Sequence, residues 1–320
     1  MKYDLATYSR TGGRRSNQDR VAYAEKSNSV LLALADGLGG HAGGELAAEI
    51  ATEYAIHAYK NIRQQNISQP SSFLALTVIE ANKQIFTKTT EKFPDKKPRT
   101  TLVLCLIQDG YAYWAHVGDS RLYHVRNQKV ATRTIDHSPV EKMHQHGLIS
   151  EEDMQHHPKK NYLSNCIGGK YKPSVTLGEE TKLEPGDNVM LCSDGIWEAL
   201  NNEQILPFLA YDDLDEGIEE LLLEAENQMQ SSCDNITVAS LRWLDKVTKS
   251  APLQANAVKT VDQQTLWEDA RQQMKQPGKK KNMPVVNHDK AENIQQKVIE
   301  DAEQTLQNLE DFLKNRQKKN

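Results

Sequence analysis

Long apolar runs are missing from this 320-residue chain. The longest, Val30–Ala35 and Leu102–Ile107, have six residues each, against roughly 18 for a helix that crosses a bilayer. No membrane span is expected. No secretory leader is expected either, because Lys2, Asp4 and Arg10 interrupt the N-terminus with no apolar stretch between them. Cysteine is scarce. Cys105, Cys166, Cys192 and Cys233 lie far apart and form no Cys-x-x-Cys pair, which argues against a zinc–thiolate site and a disulfide scaffold and for a reduced, cytoplasmic protein. A basic excess is absent too. Residues 245–320 carry 14 basic and 11 acidic groups, leaving 25 basic and 33 acidic groups in 1–244. A field of that sign does not bind nucleic acid, and a domain that handles anions within it needs metal ions or a local arginine.

The chain divides by character near residue 244. Residues 1–244 read as one folded domain. Strand patterns fall at Asp4–Ser9, Val21–Glu25, Ser29–Ala35, Thr101–Gln108, Tyr111–Val117, Arg121–Arg126, Lys129–Thr134, Asn188–Ser193 and Asn235–Trp243. Helical patterns fall at Glu45–Gln65, Ser71–Lys92, Val140–Gln145, Glu203–Ala210 and Leu214–Met229. Strands cluster between helix pairs instead of alternating with them, so the expected class is α+β, with antiparallel sheets covered by helices. Residues 245–288, with Pro252, Pro277, Pro284 and the run Lys279–Lys281, read as a flexible linker. Residues 289–320 read as an amphipathic helix. Ile294, Val298, Ala302, Leu306, Leu309 and Leu313 make one apolar stripe. The stripe suits packing on the domain, or a protein partner or self-association through 289–318.

Five aspartates stand out by position. Asp36 and Asp194 each follow an apolar strand and precede glycine; Asp19, Asp119 and Asp234 sit beside other strand ends. A carboxylate at the end of a buried strand is costly unless it is paired or binds a metal. Several that converge would raise one another's pKa. Divalent cations resolve both problems. The donors are all oxygen, so Mn²⁺ or Mg²⁺ is expected and Zn²⁺ is not. Gly37 leaves a backbone carbonyl unobstructed. Two such ions about 3.5–4 Å apart can activate a bridging water and clamp a phosphoryl group. Arg14 or Arg15, near Asp19, can offer the phosphate a guanidinium fork.

These motifs together resemble the bacterial metal-dependent Ser/Thr protein phosphatases of the PPM (type-2C) family. In family order they are Arg14–Asp19 (RxxNQD), Asp36–Glu45 (DGxGGHxGGE), Thr100-Thr101, Gly118–Arg121 (GDSR), Asp136–Ser138 (DHS), Ser193–Trp197 (SDGxW) and Asp234-Asn235. The resemblance spans about residues 4–243. It implies an αββα sandwich with metals at one end of two mainly antiparallel sheets. It implies that Asp36 bridges two ions, that the Gly37 carbonyl binds one, and that Asp194 and Asp234 bind the other. Asp19 would act through water, and Asp119 with Asp194 would hold a third, weaker ion. Arg14, not Arg15, aligns with the phosphate-binding arginine. The substrates implied are phosphoserine and phosphothreonine in proteins, supplied by a Ser/Thr kinase.

Two places depart from the pattern. Leu38 stands where some members carry a histidine proposed as general acid, and His41 comes three residues later. The segment Leu163–Gly169 resembles phosphatases associated with type VI secretion. Between these, the flap His137–Asn165 holds five histidines and reads as solvated. Two rival readings remain. Gly37–Ala42 fits the dinucleotide pattern G-x-G-x-x-A, but the segment after its helix is another helix and not a strand. The second rival is a catalytically weak binding module that acts through its C-terminal helix.

Overall fold

The computed structural model describes residues 1–38, 43–92, 97–150, 153–154 and 157–245. The linker and C-terminal helix expected over 245–288 and 289–320 lie outside the described residues, apart from Asp245. His41 lies outside them as well.

Among the described residues, eleven strands build two sheets. They are β1 (Tyr3–Arg10), β2 (Asp19–Lys26), β3 (Ser29–Asp36), β4 (Leu102–Gln108), β5 (Tyr111–Val117), β6 (Arg121–Arg126), β7 (Lys129–Arg133), β8 (Thr176–Leu177), β9 (Thr181–Lys182), β10 (Asn188–Cys192) and β11 (Ile236–Trp243). One sheet has the order β1-β11-β10-β6-β7, the other β2-β3-β4-β5-β8, with β9 also on β5. Every strand pair is antiparallel.

Period-two alternation sorts the side chains into layers. From β3, Val30, Leu32 and Leu34 point between the sheets, where Val103, Cys105 and Ile107 of β4 and Val189, Leu191, Ala239 and Leu241 of the other sheet meet them. The intervening Leu31, Ala33 and Ala35, with Leu102, Leu104 and Leu106, face α1 (Gly44–Lys60) and α2 (Pro70–Lys92). Met190, Cys192, Ile236 and Val238 face α6 (Leu214–Met229) on the opposite side. The result is the expected helix–sheet–sheet–helix sandwich. β4 is buried along its whole length, which is why its sequence is an unbroken apolar run rather than an alternating one.

The differences from the pattern reading have local causes. The first helix stops at Lys60 and not near Gln65, because Asn61 caps it and the Ile62 amide bonds Tyr59 O at 3.2 Å, tightening the last turn. The pattern over 203–210 breaks in two, α5 (Asn202–Ile205) and a 3₁₀ turn at Phe208–Ala210, because Pro207 between them has no amide hydrogen. The helical patterns of the sequence do not include the segment after β10, where Asp194–Trp197 forms the short helix α4. α3 (Pro139–Gln145) starts on a Ser138 cap, whose hydroxyl accepts from the Glu141 amide at 3.0 Å. All four cysteines are free. Among the described residues, no helix is long and apolar enough to cross a membrane.

Candidate active site

Continued one step along each strand toward the same end, the apolar layer between the sheets turns polar. Beyond Leu34 comes Asp36, beyond Val103 Thr101, beyond Leu122 Ser120, beyond Leu191 Ser193, and beyond Ala239 Thr237. Asp19 lies directly opposite Asp36 in the β2–β3 register, and opposed residues of an antiparallel pair share a face. Asp19, Thr101, Ser120, Ser193 and Thr237 are each at most 3% exposed. The site is therefore the end of the sandwich core, with carboxylates and hydroxyls where aliphatic side chains would otherwise sit.

Three further places complete the ring of carboxylates. Asp119 occupies the turn between β5 and β6, Asp194 opens α4, Asp234 precedes β11, and all of them act on Asp36 or on one another. Burial pushes the Asp36 carboxyl well above the usual range, and the charges of Asp194, Asp19, Asp119 and Asp234 push it further. Asp194 is raised likewise, by burial and then by Asp119, Glu198, Asp234 and Asp19. Burial lifts Asp19 to about 6 against hydrogen bonds from Ser193 and Thr237 that favour its charged form. Asp119 rises to about 7, through burial and the nearby Asp136. One oxygen of Asp19, Oδ2, is buried with no hydrogen-bond partner among the described residues. An orphaned carboxylate oxygen within an all-oxygen, mutually repelling set fits a hard divalent cation. Among the described residues no three His, Cys, Asp or Glu side chains close on one point. The carboxylates alone thus make no cage, and ions such as Mg²⁺ that keep part of their hydration do not need one.

The backbone around these groups is tightly fixed. The Asp36 amide donates to Thr101 Oγ1 at 2.9 Å, its carbonyl accepts from Thr100 Oγ1 at 2.7 Å, and Thr101 Oγ1 bonds Ser120 Oγ at 2.7 Å beside Asp119. Gly37 is needed for space: a Cβ there would lie 2.4 Å from the Gly44 carbonyl and 2.7 Å from Gln18 O. Asn235 Oδ1 accepts from the Gln18 amide at 2.8 Å, and its Nδ2 donates to Thr11 O and Ser16 O. The loop before β2 is thereby sewn to the start of β11. Gly12, at φ +58°, lets that loop touch Asp234, whose carbonyl would be 2.1 Å from any Cβ. The contact brings Arg14 Nη2 to 2.5 Å from Asp234 Oδ2. Arg15 is simply exposed. Leu38 is half-buried, its amide bonded to Arg99 O at 3.0 Å.

Three motifs turn out to form a strut. Arg121 grips Asp136 with two nitrogens, Nε to Oδ1 at 3.0 Å and Nη2 to Oδ2 at 2.7 Å, and both residues are buried. The guanidinium lies over the Trp197 ring at 3.9 Å, and Trp197 Nε1 donates to Asp119 O at 3.0 Å. Motif order along the chain reveals the presence of these residues but not that they meet. Asp136→Ala leaves Arg121 buried and unpaired, so a loss of about 3–5 kcal/mol in denaturant unfolding is expected. Unchanged stability would contradict the strut.

His137 departs from the solvated-flap expectation. Its ring stacks on that of His116 with centroids 4.7 Å apart, and burial, then the His116 charge, lowers its pKa to about 4. His146, by contrast, is exposed.

The comparisons agree with this architecture. Protein phosphatase PhpP of Streptococcus pneumoniae is 31% identical over 228 residues, covering 71% of this chain and 91% of its own. The S. agalactiae serine/threonine phosphatase structure superposes with a TM-score of 0.69 at 29% identity, over 76% of this chain and all of that one. The catalytic domain of the phosphatase PstP, solved with two manganese ions, is 28% identical with a TM-score of 0.63, over 76% of this chain and 99% of that one. The family model described as Protein phosphatase 2C matches residues 8–231, and with the strand-end aspartates set in its sandwich this chain belongs to the protein phosphatase 2C family.

Proposed function

We propose that the chain is a Mn²⁺- or Mg²⁺-dependent protein serine/threonine phosphatase, acting on phosphoserine and phosphothreonine in signalling proteins of the cytoplasm. The observation that carries the reading is the convergence of Asp19, Asp36, Asp119, Asp194 and Asp234 at one end of the sandwich, all five present. A binding module without activity would have no use for so costly a set.

When bound, two divalent ions supply an activated water for in-line attack on phosphorus and neutralise the phosphoryl oxygens. Asp36 would be shared between them. The Gly37 carbonyl would hold one, Asp194 and Asp234 the other, with Asp19 reaching them through water. Asp119 and Asp194 would hold a third, weaker ion. Thr100, Thr101 and Asn235 keep these donors in register. Arg14 is the group left for the phosphate. Its side chain is 56% exposed although paired with Asp234, so its fork can turn to the substrate.

Arg14→Ala is expected to raise KM about tenfold or more while kcat changes less, because a charge-assisted bond of this kind is worth about 1.5–3 kcal/mol in ground and transition state alike. A pure kcat loss in steady-state kinetics would remove Arg14 from that role. The overall reading is tested by hydrolysis of p-nitrophenyl phosphate and of a phosphothreonine peptide, titrated with Mn²⁺ and EDTA. Activity that rises with Mn²⁺, vanishes with EDTA and favours the peptide supports it. Inactivity at every Mn²⁺ concentration overturns it.

A further inference from the structure

The imidazole of His137 joins two parts of the site that the sequence separates. Its Nδ1 receives two donors, the Gly118 amide at 3.2 Å and Asn165 Nδ2 at 3.0 Å. A ring nitrogen that accepts cannot also carry hydrogen, so the proton sits on Nε2, which lies 2.8 Å from Thr176 Oγ1 and donates to it. The backbone of His137 repeats the connection: its amide donates to Gly118 O at 2.9 Å, and its carbonyl accepts from the Ser164 amide at 2.8 Å. Gly118 directly precedes Asp119. Ser164 and Asn165 end the flap that His137 begins. One residue therefore clamps the turn that carries a carboxylate and closes the neck of the flap, while also holding the short edge strand β8.

We propose that His137 is a positioning residue: its neutral ring fixes the Gly118–Asp119 turn and locks that turn to the neck of the flap. Nothing in this places His137 on the substrate. It acts through Asp119, and so rests on the reading of Asp119 as a ligand of the weaker ion. Outer partners that orient a ligand are worth about 10–100-fold in metal affinity.

The two ring nitrogens can be tested separately. His137→Asn sets an amide oxygen near the Nδ1 position, keeping the acceptor for Gly118 and losing the bond to Thr176. His137→Gln sets its amide near the Nε2 position, keeping that bond and losing the acceptor. Hydrogen–deuterium exchange on the metal-free full chain reads the turn directly, and Mn²⁺ titration followed by electron paramagnetic resonance reads the weaker ion. Exchange over 117–120 and 163–166 is expected to quicken about tenfold in His137→Gln and to stay within about twofold in His137→Asn, with weaker-site affinity falling about tenfold in the first alone. Thr176→Val is expected to resemble wild type. Equal effects in the Asn and Gln variants would reduce His137 to packing and overturn the proposal, as would no effect in either. If the wild type binds only two Mn²⁺ while the exchange pattern appears as expected, positioning stands and the third-ion role of Asp119 falls.

Discussion

Asp36→Asn is expected to abolish turnover and to raise the melting temperature of the metal-free protein. Both effects follow from one group. Asp36 sits where the charges of Asp194, Asp19, Asp119 and Asp234 meet, and burial, then those charges, pushes its pKa well above the usual carboxylate range. Asparagine keeps the shape and is neutral at every pH, so it needs neither a buried charge nor a proton taken up to avoid one. It also removes the side chain proposed to be shared by two ions, so kcat is expected to fall by at least about 10²–10³-fold, the scale for losing one preorganised electrostatic group. Relief of buried repulsion is expected to add about 2 kcal/mol, or ~4–8 °C in a domain of this size. Steady-state kinetics and metal-free thermal melts at pH 7.5 check the two halves. Wild-type turnover in the variant would end the two-metal reading; a lower metal-free melting temperature would show that the carboxylates do not repel as their environment requires.

The second large effect is the stabilisation by Mn²⁺ and its dependence on pH. The folded-state pKa values of Asp19 and Asp119 lie at about 6 and about 7, above the ordinary 3.8. An acid raised on folding contributes stability that is fully present below its unfolded pKa and is lost as pH rises through the folded one. The metal-free protein should therefore lose stability between about pH 4 and pH 7. Ions reverse that loss by binding the charged forms. At a hundredfold excess over its Kd, each ion adds about 2.7 kcal/mol. Two ions then give a shift of roughly 10–20 °C at pH 7.5, removed by EDTA and much smaller at pH 5. Scanning calorimetry with and without Mn²⁺ at both values measures this. A shift of equal size at pH 5 and 7.5 would mean that the ions bind elsewhere.

Much of this was legible in the chain because its pattern is strong where burial is strong. β3 and β4 announce themselves as apolar runs, and the aspartates at the strand ends, Asp36 and Asp194 above all, point to the site from the sequence. The seven motifs supplied the identity of the carboxylates. What stayed hidden depends on neighbours distant in sequence. β8 and β9 are two residues each; they exist because the free edge of β5 accepts them, and nothing in Thr176-Leu177 demands a strand. α4 is too short to show a period. Arg121, Asp136 and Trp197 are readable as motifs, yet their stacking appears only when β6, the segment after β7 and α4 are brought together. His137 looked like one of five polar flap histidines because its partners, Gly118 and Asn165, are 19 and 28 residues away.

The pairing of the first strand with the last bears on how the protein is made. β1 is bonded to β11 along its whole length, Tyr3 opposite Trp243. On a ribosome, the sheet of β2 to β5 can close once residue 117 has emerged, presenting Asp19 and Asp36 early. The other sheet must wait for residue 243, and Asp194 and Asp234 arrive with it. Pairings of such long sequence separation form slowly. Between residues 117 and 243 of its synthesis, a nascent chain therefore carries only part of the proposed metal site, and it becomes a hydrolase only when β1 and β11 pair.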